Sequence, residues 1–406
     1  MIFKIAFKNV WRNKVRSLIV IIAITLGLSG GIFTVSIITG MVEQKLRSGV
    51  NNEVSHIQVH NPGFLKNYES GYIISHADSI AGIISKVSSV KAVCMRSRIT
   101  GMAASPNSAA GIQIIGIDPV QDKKVFSLYT TIPDSAGGFF IGSRKNQVVL
   151  GRKLADKLKI RLKSKVVLRF QNSGGDLSEA AFSVNGIYQS ANTVFDETNV
   201  FVRKTDLDLI TGSDNGIQEI ALILDDNDKI PMAQALLKSK LPGLAVQNWM
   251  ELRPDMGMVS SAIAIEVYII LGIILFALAF GIVNTMLMIV FERTRELGML
   301  MAVGMSKSRV FRMIMLETVF LTFIGGIIGM TLSATLVAVF HRHGIDLSSF
   351  SKGLGAFGFD PKIYPFIKIN LYINLSIMIL LTGIFAAIMP ARKALKLNPV
   401  EAIRIE

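Results

Sequence analysis

The hydrophobic positions of this chain are concentrated in four segments that contain no acidic or basic residue. These segments cover residues 17–42, 267–291, 318–340 and 369–391, and they are 26, 25, 23 and 23 residues long. About 20 apolar residues in a helix are enough to cross the hydrocarbon core of a bilayer. The pattern therefore predicts four transmembrane helices.

The first segment must be compared with a secretory signal peptide. Its apolar run is longer than the roughly 7–15 residues of a cleavable hydrophobic region, and no small-x-small cleavage site follows it clearly. We therefore interpret residues 17–42 as an uncleaved signal anchor.

Charge is distributed unevenly along the chain. The net charge is +14, yet residues 43–266 contain 25 basic and 22 acidic residues. The remaining excess of basic residues flanks the apolar segments, which is typical of a membrane protein and not of a nucleic-acid-binding or disordered chain.

The positive charges also predict an orientation. Residues 1–16, 292–317 and 392–406 together carry 14 basic and 5 acidic residues, whereas the loop 341–368 carries four basic and two acidic. Short cytoplasmic loops are enriched in Lys and Arg. We expect both termini in the cytoplasm, with residues 43–254 and the loop 341–368 outside.

Residues 1–16 form a basic stretch with apolar residues at helical spacing. The apolar residues that share one face are Phe3, Phe7, Val10 and Trp11. This pattern predicts an amphipathic helix in the headgroup layer. A disordered basic N-terminus is the alternative.

Residues 43–254 form a hydrophilic insertion in which strand-like and helix-like patterns alternate irregularly. Alternating segments at 54–60 and 111–117 predict strands, and residues 231–239 predict a helix. We expect an extracytoplasmic α+β domain, in two lobes. Pro254 is a suitable first residue for a helix over 255–294, which would be about 60 Å long. The bilayer core takes about 30 Å of that length, so the remainder would form a stalk.

The segment 292–317 contains eight charges in 26 residues, so placing it in the bilayer would cost roughly 20 kcal/mol. Its apolar residues predict a short amphipathic helix that ends near Gly304; these are Leu297, Leu300, Met301, Val303 and Met305. Such a helix in a short loop needs a partner surface. Packing against headgroups or neighbouring helix ends is the alternative.

Two motifs carry a family resemblance. NTMLMIVFERTRELGMLMAVGMSKSRVFRMIMLE, together with LNPVEAIR at residues 397–404, resembles the hallmark sequences of FtsX-like ABC transporter permeases, which include the lipoprotein-releasing (Lol-type) and macrolide-exporter (MacB-type) proteins. In the insertion, VVLGRKLADKL, FSVNGIY and NWMEL are similar to their extracytoplasmic domain, here a MacB-like periplasmic core. The resemblance covers essentially the whole chain.

The resemblance implies a permease of the type VII ABC superfamily, which transmits force and does not pass cargo through a pore. It implies a bacterial inner-membrane location and a coupling helix in 292–317 that docks on an ATPase. The residues implied in docking and transmission are Glu292, Arg293, Arg295, Glu296, Leu297, Gly298 and Gly304.

The chain contains no G-x-x-x-x-G-K-[ST] phosphate-binding loop, so we expect a separate ATPase subunit to bind ATP and Mg²⁺. The further partners expected are membrane lipid and a second permease, in a homodimer or a heterodimer. A lipoprotein cargo with a periplasmic carrier or adaptor is also expected, and nucleic acid is not.

Small and polar residues within the spans predict helix packing or gating. Gly27 and Gly31, and Gly325 and Gly329, form two G-x-x-x-G pairs that allow close helix approach. Asn284 is costly in lipid unless it is hydrogen-bonded across helices. The sequence does not decide between contacts within the chain and contacts between subunits.

Catalytic and metal-binding signals are weak. His56 and His60 lie in a strand-like stretch about 13 Å apart, too far for one ion, and residues 225–228 (DDND) are only a weak calcium signal. The single cysteine, Cys94, excludes an intrachain disulfide. We expect a non-catalytic subunit without a cofactor of its own.

The favoured function is lipoprotein release from the inner membrane, driven by a separate ATPase. Three alternatives remain open at this point. They are MacB-like export with a periplasmic adaptor, FtsX-like mechanotransmission to an extracytoplasmic enzyme, and an ATP-independent membrane scaffold.

Overall fold

A computed structural model describes residues 2–12, 14–140, 144–172, 174–212 and 216–395. The chain divides into two compact units, which are described separately below. The membrane unit contains Met1–Glu43, Ser260–Leu347 and Lys362–Glu406, and the external unit contains Gln44–Val259 and Ser348–Pro361. The C-terminal motif at residues 397–404 lies outside the described residues.

The α-helices of the described residues are α1 (Ile2–Arg12), α2 (Lys14–Gly49), α3 (Phe64–Asn67), α4 (Ala77–Ser85), α5 (Pro119–Val125), α6 (Arg152–Leu158), α7 (Thr193–Thr198), α8 (Lys204–Thr211), α9 (Ile230–Lys240), α10 (Trp249–Leu252), α11 (Pro254–Glu292), α12 (Thr294–Ala302), α13 (Lys307–His343), α14 (Ser351–Ala356), α15 (Ile369–Ala386) and α16 (Ile388–Leu395).

The β-strands of the described residues are β1 (Ile57–His60), β2 (Val90–Ala104), β3 (Ala109–Ile117), β4 (Gln147–Gly151), β5 (Lys165–Gln171), β6 (Leu177–Tyr188), β7 (Asn199–Arg203), β8 (Glu219–Leu224), β9 (Ala245–Asn248), β10 (Ile345–Asp346) and β11 (Lys362–Ile363).

Four helical stretches of the described chain are long and apolar enough to cross a membrane. They lie in α2, α11, α13 and the pair α15–α16. The fourth stretch is interrupted at Ala387, three residues before Pro390. Proline has no N–H and its ring crowds the preceding turn, which explains why α15 ends at Ala386.

The membrane unit is held together by one hydrophobic cluster to which α1, α2, α11, α12, α13, α15 and α16 contribute. Helix α1 packs along α13, where Phe3 and Phe7 contact the ring of Phe320 at centroid distances of 4.8 and 5.7 Å. Phe3, Phe7 and Trp11 remain about half exposed, whereas Val10 is buried. The face expected to be uniformly apolar is therefore divided between the helix contact and the outer surface.

The external unit is built around the 15-residue strand β2, which belongs to two β-structures. Its C-terminal half pairs with β3 and β5, and β3–β7–β4–β6–β5 completes a closed circuit of strands. Its N-terminal half pairs with β8, which continues into β1 and β9 as an open sheet. The domain is thus α+β, as expected, with a small barrel and an open sheet that share one strand.

Each β-structure has its own hydrophobic core. The barrel core includes residues from α6 and α8, and the core of the open sheet includes residues from α4 and α9. The long alternating runs of Val, Ile, Leu and Phe supply these inward faces because successive residues of a strand point to opposite sides.

A buried charge cluster lies where β2 passes from one β-structure to the other. Arg96, 2% exposed, donates to Asp122 (Nε–Oδ1 2.7 Å) and stacks on Phe126. Glu219 accepts from Arg98 (Nη1–Oε2 3.0 Å). Burial raises the pKa of Asp122, while Arg96 opposes that shift. The two cations and two carboxylates compensate one another at this junction.

Residues 348–361, which follow α13 in the chain, are part of the external unit. Lys45 Nζ donates to the Phe357 carbonyl at 2.7 Å, and Thr193 Oγ1 donates to the Gly355 carbonyl at 3.3 Å. Two chain segments that fold together must lie on the same side of a membrane. This agrees with a topology in which the insertion and the loop 341–368 share one side.

Candidate coupling site

The polar segment between the second and third spans folds into the short helix α12. Arg293, whose backbone leaves the helical region, separates α12 from α11. The end of α12 is set by Gly304 at φ +101°, a left-handed conformation that favours glycine.

Two backbone hydrogen bonds complete this helix end. Gly304 N donates to the Met301 carbonyl (3.1 Å) and Met305 N donates to the Leu300 carbonyl (2.9 Å). This is the Schellman arrangement, in which glycine is the preferred residue. It terminates α12 at Ala302, so Val303 and Met305 are not part of the helix.

Helix α12 has a buried side and an exposed side. Thr294, Leu297 and Gly298 are buried, and Leu297 is only 1% exposed. Met299 is 52% exposed and Val303 is 90% exposed. The sequence places Val303 among the apolar residues of a helix that needs a partner surface; in the structure Val303 follows the last helical residue, Ala302, and is exposed.

The exposed end of α12 forms a small apolar surface with basic neighbours. We call Met299, Ala302, Val303 and Gly304 the α12 tip; all are exposed. Arg295, Lys307 and Arg309 are also exposed. Within the part of the chain that the structure describes, Arg295 forms no ion pair. Glu292 is likewise exposed, at the end of α11.

An ion-pair network connects the buried side of α12 to two other helices. Arg293 Nη1 donates to Glu317 Oε2 at 2.8 Å, and Asn9 Nδ2 donates to Glu317 Oε1 at 2.6 Å. Arg293 Nε donates to Glu296 Oε2 at 3.1 Å, and Arg12 also pairs with Glu296. The network therefore connects α1, α12 and α13.

Glu317 is the central residue of this network. It is 5% exposed, and both of its carboxylate oxygens accept a hydrogen bond. A buried carboxylate without partners is very costly, so its position depends on Asn9 and Arg293. Sequence reasoning missed both Glu317 and Asn9. The available signal was a lone carboxylate directly before the uncharged segment 318–340.

Glu296 is the outer residue of the network. Partial burial disfavours its charged form, but the hydrogen bonds from Arg12 and Arg293 outweigh that effect and lower its pKa. The carboxylate is therefore ionised at neutral pH and able to hold both arginines.

The two glycine pairs lie in close contacts between helices. A Cβ on Gly325 would be 3.0 Å from Ile24 Cβ, and one on Gly329 would be 3.2 Å from Leu28 Cβ. A Cβ on Gly27 would be 2.9 Å from Leu278 Cδ1, and Gly31 lies similarly near Ile274. In this chain the glycines bring α2 against both α13 and α11.

Asn284 takes no part in that packing. Its side chain is exposed, and among the described residues it forms no hydrogen bond to another helix. The neighbouring Thr285 donates to the Gly281 carbonyl of its own helix at 2.9 Å.

The histidines of the external unit serve its hydrogen-bond network. His56 Nδ1 accepts from Leu224 N at 2.9 Å, and the His60 ring contacts Gln218 O and Gln58 Oε1 at 3.0 and 2.8 Å. Burial lowers the pKa of both histidines. Among the described residues no group of three or more His, Cys, Asp or Glu could hold a metal ion.

Cys94 is buried in the small cluster with Val125, Phe126 and Ala221. Burial raises the pKa of its thiol well above the usual value, so the thiolate is disfavoured.

Comparison with known families adds an independent observation. Residues 17–240 match the MacB-like periplasmic core domain, and residues 268–399 match the FtsX-like permease C-terminal domain. The chain belongs to the FtsX-like ABC transporter permeases with a MacB-like periplasmic core domain. It is a membrane protein with four apolar spans and a large extracellular domain.

Among curated relatives, an uncharacterized ABC transporter permease, YvrN of Bacillus subtilis, is 24% identical over 99% of both chains. The macrolide export ATP-binding/permease protein MacB of Chlorobium luteolum is 36% identical over 31% of this chain, which is 16% of the MacB chain. The periplasmic region of MacB from Actinobacillus actinomycetemcomitans is a similar solved structure, at 15% identity and a TM-score of 0.34, covering 54% of this chain and 98% of that one.

Proposed function

We propose that this permease converts ATP hydrolysis by a separate ATPase subunit into movement of its external domain. The observation that carries the proposal is the α12 tip. Its apolar side chains are exposed, with Val303 at 90%, although α12 itself is anchored by a buried face and by ion pairs. Exposed apolar residues on a fixed support suit a protein interface.

The ion-pair network connects this interface to other helices of the membrane unit. A displacement of α12 would act on Arg293 and hence on Glu317 in α13 and Asn9 in α1. The exposed residues Glu292, Arg295 and Gly304 would shape the docking surface, with Arg295 free to pair with a partner carboxylate. Gly298 is buried and would belong, with Leu297, to the side of α12 that transmits the movement. Both termini would face the cytoplasm, in the bacterial inner membrane.

The interface can be tested by co-purification. Wild-type protein, isolated in mild detergent from its own host, should retain an ABC ATPase identifiable by mass spectrometry. Val303→Glu places a charge in the apolar tip and should reduce the recovered ATPase about tenfold or more, since burying an unpaired charge is costly. Val120→Glu is the control, because Val120 is 69% exposed but lies in α5 of the external unit.

Equal ATPase recovery with both variants would contradict the docking role of the α12 tip. If no ATPase accompanied wild-type protein under any mild condition, the ATP-independent scaffold would replace the proposal. Two permeases per complex, identical or related, are expected, and the mass of the purified complex measures this.

We propose that the transported substrate is a lipoprotein, which the external domains of two permeases release from the outer leaflet to a soluble carrier. Depleting the permease in spheroplasts should leave labelled lipoproteins in the membrane when carrier is supplied. Unchanged lipoprotein release would refute the lipoprotein as the substrate, but it would not contradict docking of the ATPase.

MacB-like export is the second candidate, supported by the similarity to proteins named for macrolide export. It predicts accumulation of exported compounds after depletion and a requirement for a periplasmic adaptor. FtsX-like control of an external enzyme predicts neither accumulation nor retained lipoprotein.

A further inference from the structure

Helix α1 presents an aromatic stripe that the hydrophobic cluster of the membrane unit does not cover. Ala6 and Val10 are buried in that cluster. Phe3, Phe7 and Trp11 follow one another at intervals of four residues and are 60, 47 and 51% exposed. Residues four apart are neighbours on a helix surface, so the three rings form one continuous stripe.

A basic stripe lies directly beside the aromatic one. Each aromatic residue is followed in the sequence by a cation, namely Lys4, Lys8 or Arg12, and all three cations are exposed. Successive residues of a helix are rotated by about 100°, so the second stripe lies next to the first. Within the part of the chain that the structure describes, Lys4 and Lys8 form no ion pair. Their charges are therefore available to an external anion.

The two stripes border a surface depression of about 590 Å³, which we call the α1 groove. It is lined by Ile5, Phe7, Lys8, Asn9, Trp11 and Arg12. The groove thus combines two cationic groups with apolar side chains. A phospholipid has the matching chemistry, because its phosphate is an anion and the adjoining acyl chains are apolar.

The contacts of α1 place the groove at the depth of lipid headgroups. Phe3 and Phe7 contact Phe320, which is the third residue of the uncharged segment 318–340. Ser17, the first residue of the uncharged segment 17–42, donates to the Val10 carbonyl. Helix α1 therefore lies where two spans leave the hydrocarbon core. Aromatic rings are enriched at this level of a membrane, and Lys side chains extend from it to the headgroups.

The unpaired charges favour a net-negative headgroup. A zwitterionic headgroup carries no net charge to match Lys4 and Lys8. An anionic membrane surface attracts each nearby Lys or Arg by about 1 kcal/mol, which is about fivefold in affinity. Charge complementarity thus identifies the occupant of the groove as an anionic phospholipid.

Arg12 connects the groove to the coupling site. Its guanidinium lines the groove and also donates to Glu296 of α12. A phosphate bound in the groove would compete with Glu296 for this cation. The state of the groove would therefore affect the ion pair that connects α1 to α12.

We propose that the α1 groove binds the headgroup of an anionic phospholipid, and that this lipid modulates the Arg12–Glu296 pair of the coupling site. The modulation rests on the proposed function, whereas the lipid binding does not. Binding is measured without ATP or an ATPase, so the two parts can fail separately.

The chain supplies its own fluorescent reporter of lipid binding. It contains two tryptophans, Trp11 and Trp249, so Trp249→Phe leaves Trp11, in the groove, as the only one. This full-length variant is placed in vesicles of phosphatidylcholine and phosphatidylglycerol. Either the zwitterionic or the anionic lipid carries brominated acyl chains, which quench a tryptophan that they contact.

We expect quenching of Trp11 to show a preference of about tenfold or more for the anionic lipid at equal mole fraction. Adding Lys4→Gln and Lys8→Gln should reduce this preference about fivefold or more. Because neither lysine forms an ion pair among the described residues, the melting temperature should not change.

The matched control removes the same charge elsewhere. Lys124→Gln combined with Lys229→Gln alters two exposed lysines of the external unit. This variant should keep the full preference for anionic lipid.

The modulation is tested with the permease–ATPase complex in vesicles without and with 30% phosphatidylglycerol. The rate of ATP hydrolysis should differ about threefold or more between the two membranes for wild-type protein. It should differ much less for Lys4→Gln/Lys8→Gln. A wild-type rate that is independent of the anionic lipid, or absence of the ATPase from the complex, would overturn the modulation.

Three results would overturn the binding site itself. They are equal quenching by the two brominated lipids, an equal loss of preference in the external-unit control, and no quenching by either lipid. The last result would show that a protein surface, and not lipid, covers α1.

Discussion

Replacing Glu317 by Gln tests whether the buried ion pair holds the coupling site together. The substitution keeps the shape of the side chain and an oxygen that can accept from Asn9, but it removes the negative charge beside Arg293. Arg293 is only 11% exposed, and the Nη1–Oε2 distance to Glu317 is 2.8 Å. In the variant, Glu296 is the only carboxylate that still pairs with Arg293.

The expected loss of stability follows from that geometry. Breaking a buried ion pair by removing one partner costs about 3–5 kcal/mol. Because Glu296 still pairs with Arg293 at 3.1 Å, we expect the lower end, about 3 kcal/mol. This corresponds to a decrease in melting temperature of about 6–12 °C, which thermal unfolding of the detergent-solubilised full chain followed by size-exclusion chromatography can detect.

A double variant separates stability from transmission. Replacing both members of a buried pair by apolar residues of similar volume is often neutral for stability. Arg293→Met combined with Glu317→Met should therefore unfold at a temperature closer to wild type than Arg293→Met alone. If it also restored full ATPase-coupled activity in reconstituted membranes, the network would be structural only. A shift of under about 2 °C for Glu317→Gln would refute the energetic reasoning.

Three further predictions concern other parts of the chain. Glu296→Lys should uncouple ATP hydrolysis from transport without preventing membrane insertion, because it places a third cation beside Arg12 and Arg293; unchanged coupled activity in proteoliposomes would contradict it. Gly325→Ala should destabilise the membrane unit by about 1–3 kcal/mol, since the new Cβ would be 3.1 Å from the Ile21 carbonyl oxygen. Gly30→Ala is the control, because a Cβ there would have no neighbouring atom within 4 Å. Equal melting temperatures of the two variants would disprove the packing role of Gly325. Burial raises the pKa of Asp196 to about 7, against opposing hydrogen bonds from Ser190. The folded state thus holds the Asp196 proton more tightly than the unfolded chain does. The contribution of this proton to stability is complete below about pH 4 and is lost as the pH rises to 7, by up to about 4 kcal/mol. Asp196→Asn should flatten the pH dependence of the unfolding free energy between these pH values, and an unchanged slope would rule this out.

The sequence predicted those features that depend on composition along one stretch of chain. The four spans, the start of α11 at Pro254 and the short helix before Gly304 follow from apolar runs, a proline and a glycine. The mixed α and β character of the insertion followed from local alternation and is confirmed, as is the FtsX-like and MacB-like family.

Features that depend on distant residues could not be predicted in this way. Asn9 and Glu317 are 308 positions apart in the sequence, and no local pattern indicates that they meet. The barrel requires the parallel pairing of β3 with β7, although the end of β3 at Ile117 and the start of β7 at Asn199 are 82 positions apart (199 − 117) in the sequence. The predicted short helix included Val303 and Met305, whereas α12 ends at Ala302, because hydrophobic periodicity does not show where a Schellman turn ends a helix.

The inclusion of residues 348–361 in the external unit has a practical consequence. A soluble fragment cut at residues 44 and 259 would be a plausible design from the sequence, but it would omit the carbonyls that accept from Lys45 and Thr193. It would also omit Phe357 and Gly358, which are among the residues that line a cavity of about 720 Å³ in the external unit. The external domain is formed by two separate segments of the sequence. A soluble fragment that keeps its structure therefore needs both segments, joined by a designed linker.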